Sequence, residues 1–423
     1  MSTPLAVILD GAVVAEVERT RAGAVRLVYR DGAGPTPLSL SMPVEVGIHT
    51  GRVVERYLQG LLPDSPGARA AIAREHGVSG DDPLSLLSAV GLDCAGAAQF
   101  CAPERVESAL ARAGHLEPVS DGEVEARLGA LEMDEDAAWA MPGEHWSLGG
   151  AQAKFTLHRA RDQWFVAHGA IPSTHIVKPG VRRVALQALV EHVSMRAAEF
   201  VGLDVARTDY TSFKSHDAIV ITRFDRTVGA EGALLRLHQE DLCQATGTEA
   251  KYEEYGGLGA VDVTTALRDL SPTAARARQN VTAFVDALTF NTVIGAPDAH
   301  ARNYAVLLDG ADVRLAPMYD VASGAAYAPA PGRPAVASMS VGGELAFDQI
   351  TSESWLRLGA EVGLDPQGVL DRARELAAVV PSAFERALDE AAEAGHGEAA
   401  AQLRDRLIGP LTARATGVVA RAG

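Results

Sequence analysis

Over the first 45 residues the apolar positions alternate with polar ones in short runs broken by glycine and proline. Residues 7–9, 13–17 and 25–29 read as strands, and the turn DGAGPTP follows them, so a small β-sheet is expected. From Val53 the spacing lengthens to three and four in VVERYLQGLL, which predicts a helix stopped by Pro63. Asp82 before Pro83 is an N-cap followed by proline at the first helical position, opening PLSLLSAVG. Residues 94–100 read as a connecting strand or turn. Ser120 and Glu123 have the spacing of a capping box, and the acidic run that continues to Asp136 reads as a solvated helix face. Further on, 155–157 begins a strand, 175–177 is a strand that ends on Lys178, 186–200 is a helix and 218–226 a buried strand. QEDLCQATG from Gln239, then 261–270, 281–294 and 355–362, read as mostly helical, and 366–419 is a helical tail. The pattern predicts an α+β protein, its first half mixed and its second mainly helical, with units at 1–118, 119–225 and 226–423.

Composition narrows the class. A chain of 423 residues with 47% hydrophobic content is long enough for two or three domains with real cores. No apolar run approaches the roughly 20 residues of a bilayer span, and MSTPLAVILDGAVVAEVE lacks the pattern of a signal peptide, so a cytoplasmic protein without a membrane partner is expected. Cys94, Cys101 and Cys243 show no CxxC spacing, which argues against disulfides, a zinc site and redox chemistry. The formal net charge of −17 repels a phosphate backbone, and the densest basic pair, Arg182 and Arg183, is too small to form a patch. DNA is therefore reached only indirectly, through a partner protein.

The chemistry concentrates in FNTVIGAPDAHARNYAVLLDGADVRLAPMYDVASG, residues 290–324. Asp298, His300 and Asn303 fall in a short loop between an apolar segment ending at Ile294 and another at 304–308. Asp320 follows a second apolar approach, 315–319, read as a strand that ends on the aspartate. Phosphoryl transfer needs a carboxylate to orient the nucleophile and oxygen ligands for magnesium, and Asp298, Asn303 and Asp320 match those parts in order. The same residues also fit helix and turn caps. Upstream, WSLGGAQAKFTL has small residues at Gly149, Gly150 and Ala151 that suit a phosphate-covering hairpin loop as well as an ordinary turn; it is neither a Walker A nor a GxGxxG motif. Lys178 at a strand end can hold phosphate oxygens as a point charge, with Glu191 placed on the next helix to pair with it. The strand 218–226 is a candidate hinge for a planar base.

In order, SLGGAQAK at 147–154, HIVKP at 175–179, TRFDR at 222–226, HQEDLCQATG at 238–247, DAHARN at 298–303 and APMYDVAS at 316–323 resemble the HipA family of bacterial serine/threonine kinases, the toxins of toxin–antitoxin pairs. PLSLSMPV at 37–44 looks like that family's N-terminal subdomain, so the resemblance spans nearly the whole chain. It implies a two-lobed fold related to lipid kinases, with ATP and Mg²⁺ in the cleft. Asp298 would be the catalytic base, with His300 shaping its loop as a neutral imidazole, and Asn303 and Asp320 the magnesium ligands. Lys178 would hold phosphates under the loop of Ser147, Gly149, Gly150, Ala151, Gln152 and Lys154. Thr222, Arg223 and Phe224 would form the hinge, and Gln239, Glu240 and Asp241 match a motif near the cleft. The resemblance also implies a protein substrate, a helix-turn-helix antitoxin, and self-limiting phosphorylation of Ser147. Ala299 and Arg302 replace a glycine and a lysine common in the family, and the Ala- and Pro-rich stretch 325–341 leaves substrate choice open. An inactive kinase fold that only binds nucleotide or a partner is the alternative, disfavoured by the complete set Lys178, Asp298, Asn303 and Asp320.

Overall fold

The computed structural model describes residues 4–136, 143–182, 184–230, 232–328, 332 and 334–420, so Arg183 of the basic pair and parts of 325–341 lie outside the described residues. The N-terminal meander forms a five-stranded antiparallel sheet in the order Ile48–Thr50, Val25–Tyr29, Ala12–Arg19, Leu5–Leu9, Gln99–Cys101. The helices Arg52–Gly60, Pro66–His76 and Pro83–Val90 follow the meander. The third starts as its sequence requires, with the Asp82 carboxylate accepting from the Leu84 and Ser85 amides ahead of Pro83. Ser120 and Glu123 close the expected capping box of helix Asp121–Met133.

A second sheet of six antiparallel strands carries the order Thr208–Phe213, His216–Thr222, His175–Lys178, Phe155–Ala160, Gln163–Ala167, Leu116–Val119. The strand 116–119 crosses the 118/119 boundary read from the sequence. Leu5, Leu58 and Phe100 from the first part and Leu128, Phe155 and Val220 from the second share one buried cluster, so these two segments pack as a single hydrophobic body. A larger cluster fills the helical half, where Gln187–Phe200, Ala274–Ile294, Pro366–Ala391 and Gly397–Ala420 meet. The tail is two long helices around a π-helical turn in which Gly395 takes φ 104°.

Three sequence expectations need correction. The buried strand read over 218–226 ends at Thr222, and a separate short strand, Arg226–Val228, follows it. Residues 238–241 are not helical: His238–Asp241 is a strand, paired through Gln239 with Leu307 and Glu240 with Val306, and the helix Leu242–Thr246 begins only where Asp241 caps it. Pairing with a partner about 65 positions away decides a segment whose own pattern is ambiguous. The strand expected at 315–319 ends at Leu315, because its partner Ala305–Asp309 is used up; beyond it only a bridge from Val205 to Met318 guides the chain to Asp320.

The N-terminal part grips the helical part through segment 36–41. Leu40 N donates to Glu240 Oε1 at 2.7 Å, Ser41 Oγ donates to Gln244 O at 2.8 Å, and Gly310 N donates to Thr36 Oγ1 at 2.9 Å. A buried ionic cluster makes a second tie. Asp93 lies 3.0 Å from Arg226, 3.4 Å from Arg223 and 3.5 Å from Arg236, and Asp225 takes Arg223 at 2.8 Å and the Gly96 amide at 2.7 Å. Against the cost of burial, the three guanidiniums hold the Asp93 carboxyl below the usual carboxylate range.

Candidate active site

The site lies where the six-stranded sheet meets the helical part, around a cavity of about 590 Å³. Lys178 ends the strand His175–Lys178, whose apolar residues fix it between two neighbours, and its Nζ emerges at the cavity. Glu191, in the first half of helix Gln187–Phe200, accepts from Nζ at 2.9 Å, and Asp320 accepts from it at 2.6 Å. Burial opposes the ammonium, but the two carboxylates outweigh it and keep Lys178 charged. Lys178 and Lys154 in turn hold the Asp320 carboxyl down to about 2 against its burial. Asp320 occupies the left-handed region at φ 58°, a conformation that an aspartate tolerates better than most residues.

Lys154 lies on the same cavity and donates to Gly149 O at 2.8 Å; burial and the nearby Lys178 push its pKa down to about 8. Gly149, Gly150, Ala151 and Gln152 line the cavity with it. The smallness of Gly149 has a structural cause: a Cβ there would stand 2.4 Å from Gly60 O. Gly150 forms a parallel bridge with Pro63, and its carbonyl accepts from the Asp64 amide at 3.0 Å. The glycine loop is therefore moored to the end of the first helix.

The loop that carries Asp298, His300 and Asn303 follows helix Ala274–Ile294, which Gly295 ends in a left-handed turn. Asp298 is exposed, and its Oδ1 accepts from Tyr252 Oη at 2.6 Å and faces His300 Nε2 at 3.8 Å. Burial outweighs the Asp298 charge and lowers the His300 pKa, which favours the neutral imidazole expected. Asn303 Nδ2 donates to Asp298 O at 2.6 Å, which leaves its amide oxygen as an acceptor. Asp298, His300, Asn303 and Asp320 all line the cavity with Lys178.

Thr222, Arg223 and Phe224 line it too, past the end of strand His216–Thr222, with the Phe224 ring stacked on Tyr319 at 5.5 Å. The Arg223 guanidinium belongs to the ionic cluster and serves structure. Two expected residues are not brought to the cavity. Ser147 is fully buried, its Oγ donating to Leu61 O at 2.6 Å beneath the loop. Glu240 points to the opposite face of its strand from Gln239 and Asp241, as a period of two demands, and binds the Leu40 amide. Conversely, no pattern along the chain points to Tyr252, in the aperiodic stretch KYEEYGG, or to Asp64, which pairs with Arg302 at 2.9 Å across 238 positions.

Comparison with known proteins places the chain in a family. Residues 146–384 match the model of the HipA-like C-terminal domain, and residues 5–101 that of the HipA N-terminal domain. A putative kinase, Y4mE, from Sinorhizobium fredii is 30% identical over 392 residues, 91% of each chain. The serine/threonine-protein kinase toxin HipA of Shewanella oneidensis is 32% identical over 303 residues, 68% of this chain and 66% of that one. In fold, the chain is similar to HipA in a complex from Shewanella oneidensis with HipB and operator DNA, with a TM-score of 0.78, 24% identity and coverage of 98% of this chain and 97% of that one. The α+β, two-lobed architecture with its helical C-terminal half is thus that of a kinase, and with both domain models matched the chain belongs to the HipA family.

Proposed function

We propose that this protein is an ATP- and Mg²⁺-dependent protein serine/threonine kinase and the toxin of a toxin–antitoxin pair. The observation that carries the reading is the buried Lys178 ammonium bridging Glu191 and Asp320 in the cavity that also holds Asp298 and Asn303. The residues fit the implied groups. Lys154 and Lys178 supply the cations for nucleotide phosphates, while the free amide oxygen of Asn303 and the Asp320 carboxylate are the hard oxygen donors that magnesium prefers. Bound magnesium neutralises charge on the phosphates. The exposed Asp298 orients the acceptor hydroxyl and takes its proton. The partner that fits is a helix-turn-helix antitoxin, which reaches DNA on behalf of a chain whose own charge of −17 opposes it.

The activity limits itself, in this reading, through Ser147. Its hydroxyl is buried under the glycine loop, so phosphorylation requires the two-residue strand Trp146–Ser147 to leave its place beside Asp93–Cys94. A phosphate of about −1.5 to −2 charges cannot return to that site, and the loop stays out of the cleft. Incubation with γ-labelled ATP and a cell lysate, with intact-mass analysis of the protein itself, tests both parts. Asp298→Asn is expected to lower transfer by about 10²–10⁴ and to be purified without phosphate on Ser147. Transfer at the wild-type rate would remove Asp298 from its role, and equal phosphorylation of Ser147 in both proteins would exclude self-modification.

A further inference from the structure

A second cavity, of about 630 Å³, opens beside the first. One wall comes from the start of helix Pro66–His76 and from Asp81, the other from residues 249–255. Asp64, Lys251 and Arg302 line both cavities, so the two meet at the catalytic loop. At that junction stands Tyr252, its ring edge-on to His300 at 4.9 Å and to Tyr255 at 6.1 Å. Its segment is anchored from both sides: Ala301 N donates to Lys251 O at 3.2 Å, and Glu253 accepts from Ser340 N and Oγ at 2.6 and 2.7 Å.

The Tyr252 hydroxyl donates to Asp298 Oδ1, an oxygen of the carboxylate that a phosphoacceptor must address. In an in-line transfer the acceptor comes from the side away from the leaving group; Asp298 lines the first cavity, and the second cavity reaches it through Tyr252, which lines the second and is bonded to Asp298. Charge in that cavity is uneven. Arg69, Lys251 and Arg302 face Asp64 and Asp81, while the remaining carboxylate, Glu249, is taken by Arg56 at 2.8 Å. Asp64 serves both Arg302 at 2.9 Å and Lys251 at 3.9 Å, and Arg69 spends Nε on Pro63 O at 2.7 Å. Burial lowers the Arg69 pKa more than Asp64 raises it, with a smaller lowering from Arg302.

We propose that this second cavity is the acceptor subsite, that it takes an acidic segment of a protein presenting a serine or threonine, and that Tyr252 is a place-holder displaced by the acceptor hydroxyl. The proposal rests on Asp298 as the base. The acceptor oxygen attacks the γ-phosphorus of ATP, its proton passes to Asp298, the bond from that phosphorus to the β,γ-bridging oxygen breaks, and ADP leaves with the electron pair. A carboxylate beside the acceptor residue meets Arg69, a charge-assisted contact that fixes the segment.

The test uses the full chain with MgATP and two synthetic peptides that share one serine, flanked in one by glutamates and in the other by lysines. Transfer to each peptide and hydrolysis of ATP without peptide are measured. The wild type is expected to show a KM about tenfold lower for the glutamate peptide. Arg69→Glu abolishes that gap, and Arg69→Gln narrows it, through KM and with little change in kcat. Tyr252→Phe raises peptide-free hydrolysis several-fold, because water takes the vacated position, and lowers KM for the glutamate peptide. Equal KM values, transfer to neither peptide while ATP is hydrolysed, or a preference that survives Arg69→Glu overturns the acidic acceptor. Hydrolysis in Tyr252→Phe that stays level, or falls by the same factor as transfer, overturns the place-holder. Asp298→Asn at wild-type transfer rate sinks the underlying base assignment instead, so the two failures are distinguishable.

Discussion

Lys178 carries the charge balance of the site. Its ammonium stands between the buried Glu191 and Asp320, and breaking a buried pair by removing one partner costs about 3–5 kcal/mol. Lys178→Met is expected to lower the thermal midpoint, and adding Glu191→Gln to restore part of the loss; calorimetry on the two variants checks this, and equal midpoints would mean that Glu191 holds no charge. Glu240 makes a pH prediction. Burial lifts its pKa from 4.5 to about 8, more than the Leu40 amide and the Ser39 hydroxyl lower it. The folded pKa lies above the unfolded one, so the fold favours the protonated acid. Its contribution is full below pH 4.5 and is lost as the pH rises to 8. Glu240→Gln is therefore expected to gain stability over the wild type between pH 5 and 8, increasingly toward pH 8. Denaturant unfolding at the two ends of that window measures the difference, and a gap that does not widen with pH would place the shift elsewhere.

At the scale of elements, strand alternation sorts a motif that looks uniform as text. Gln239 and Asp241 reach the cavity and Glu240 anchors the N-terminal segment, so the one motif serves two purposes. The glycine loop is also constrained by its own packing. Gly149 lets the loop lie on the carbonyl of Gly60, and any side chain there collides with backbone. Gly149→Ala is expected to cost about 1–3 kcal/mol, as overpacking does, and to displace the loop from the cleft. Thermal unfolding with nucleotide titration in the presence of Mg²⁺ reads both effects; unaltered nucleotide affinity would show that the mooring does not set the loop's position.

The N-terminal part is held to the rest of the molecule by unlike means. One is the set of hydrogen bonds of segment 36–41; the other is the cluster of Asp93 and Asp225 with Arg223, Arg226 and Arg236. Asp93→Ala leaves three buried arginines with Asp225 alone, and a loss of about 3–5 kcal/mol is expected. The N-terminal sheet then separates from the kinase core in a distinct transition, visible by calorimetry. A single transition at the wild-type midpoint would show that the hydrophobic cluster shared by the two suffices. Among the described residues no helix is long and apolar enough to cross a membrane.

The sequence by itself determined what depends on neighbours along the chain. Period-two alternation marked the strand Val25–Tyr29 and a continuous apolar run marked Leu5–Leu9, capping residues set the starts at Pro83 and Asp121, and DAHARN and MYD displayed Asp298, Asn303 and Asp320 as polar residues between apolar runs. Helical spacing even allowed for the partnership of Glu191 with Lys178, because helix and strand are consecutive. Tertiary structure alone decided what depends on burial and on partners remote in sequence. It turned His238–Asp241 into a strand by pairing it with Ala305–Asp309, buried Ser147 under Leu61 and turned Glu240 away from the cleft. It also brought Tyr252 to Asp298 and Asp64 to Arg302. The physical reason is that one residue's pattern records which face is apolar, whereas the counter-charge and the hydrogen-bond acceptor that give a polar side chain its role arrive with the packing of distant segments.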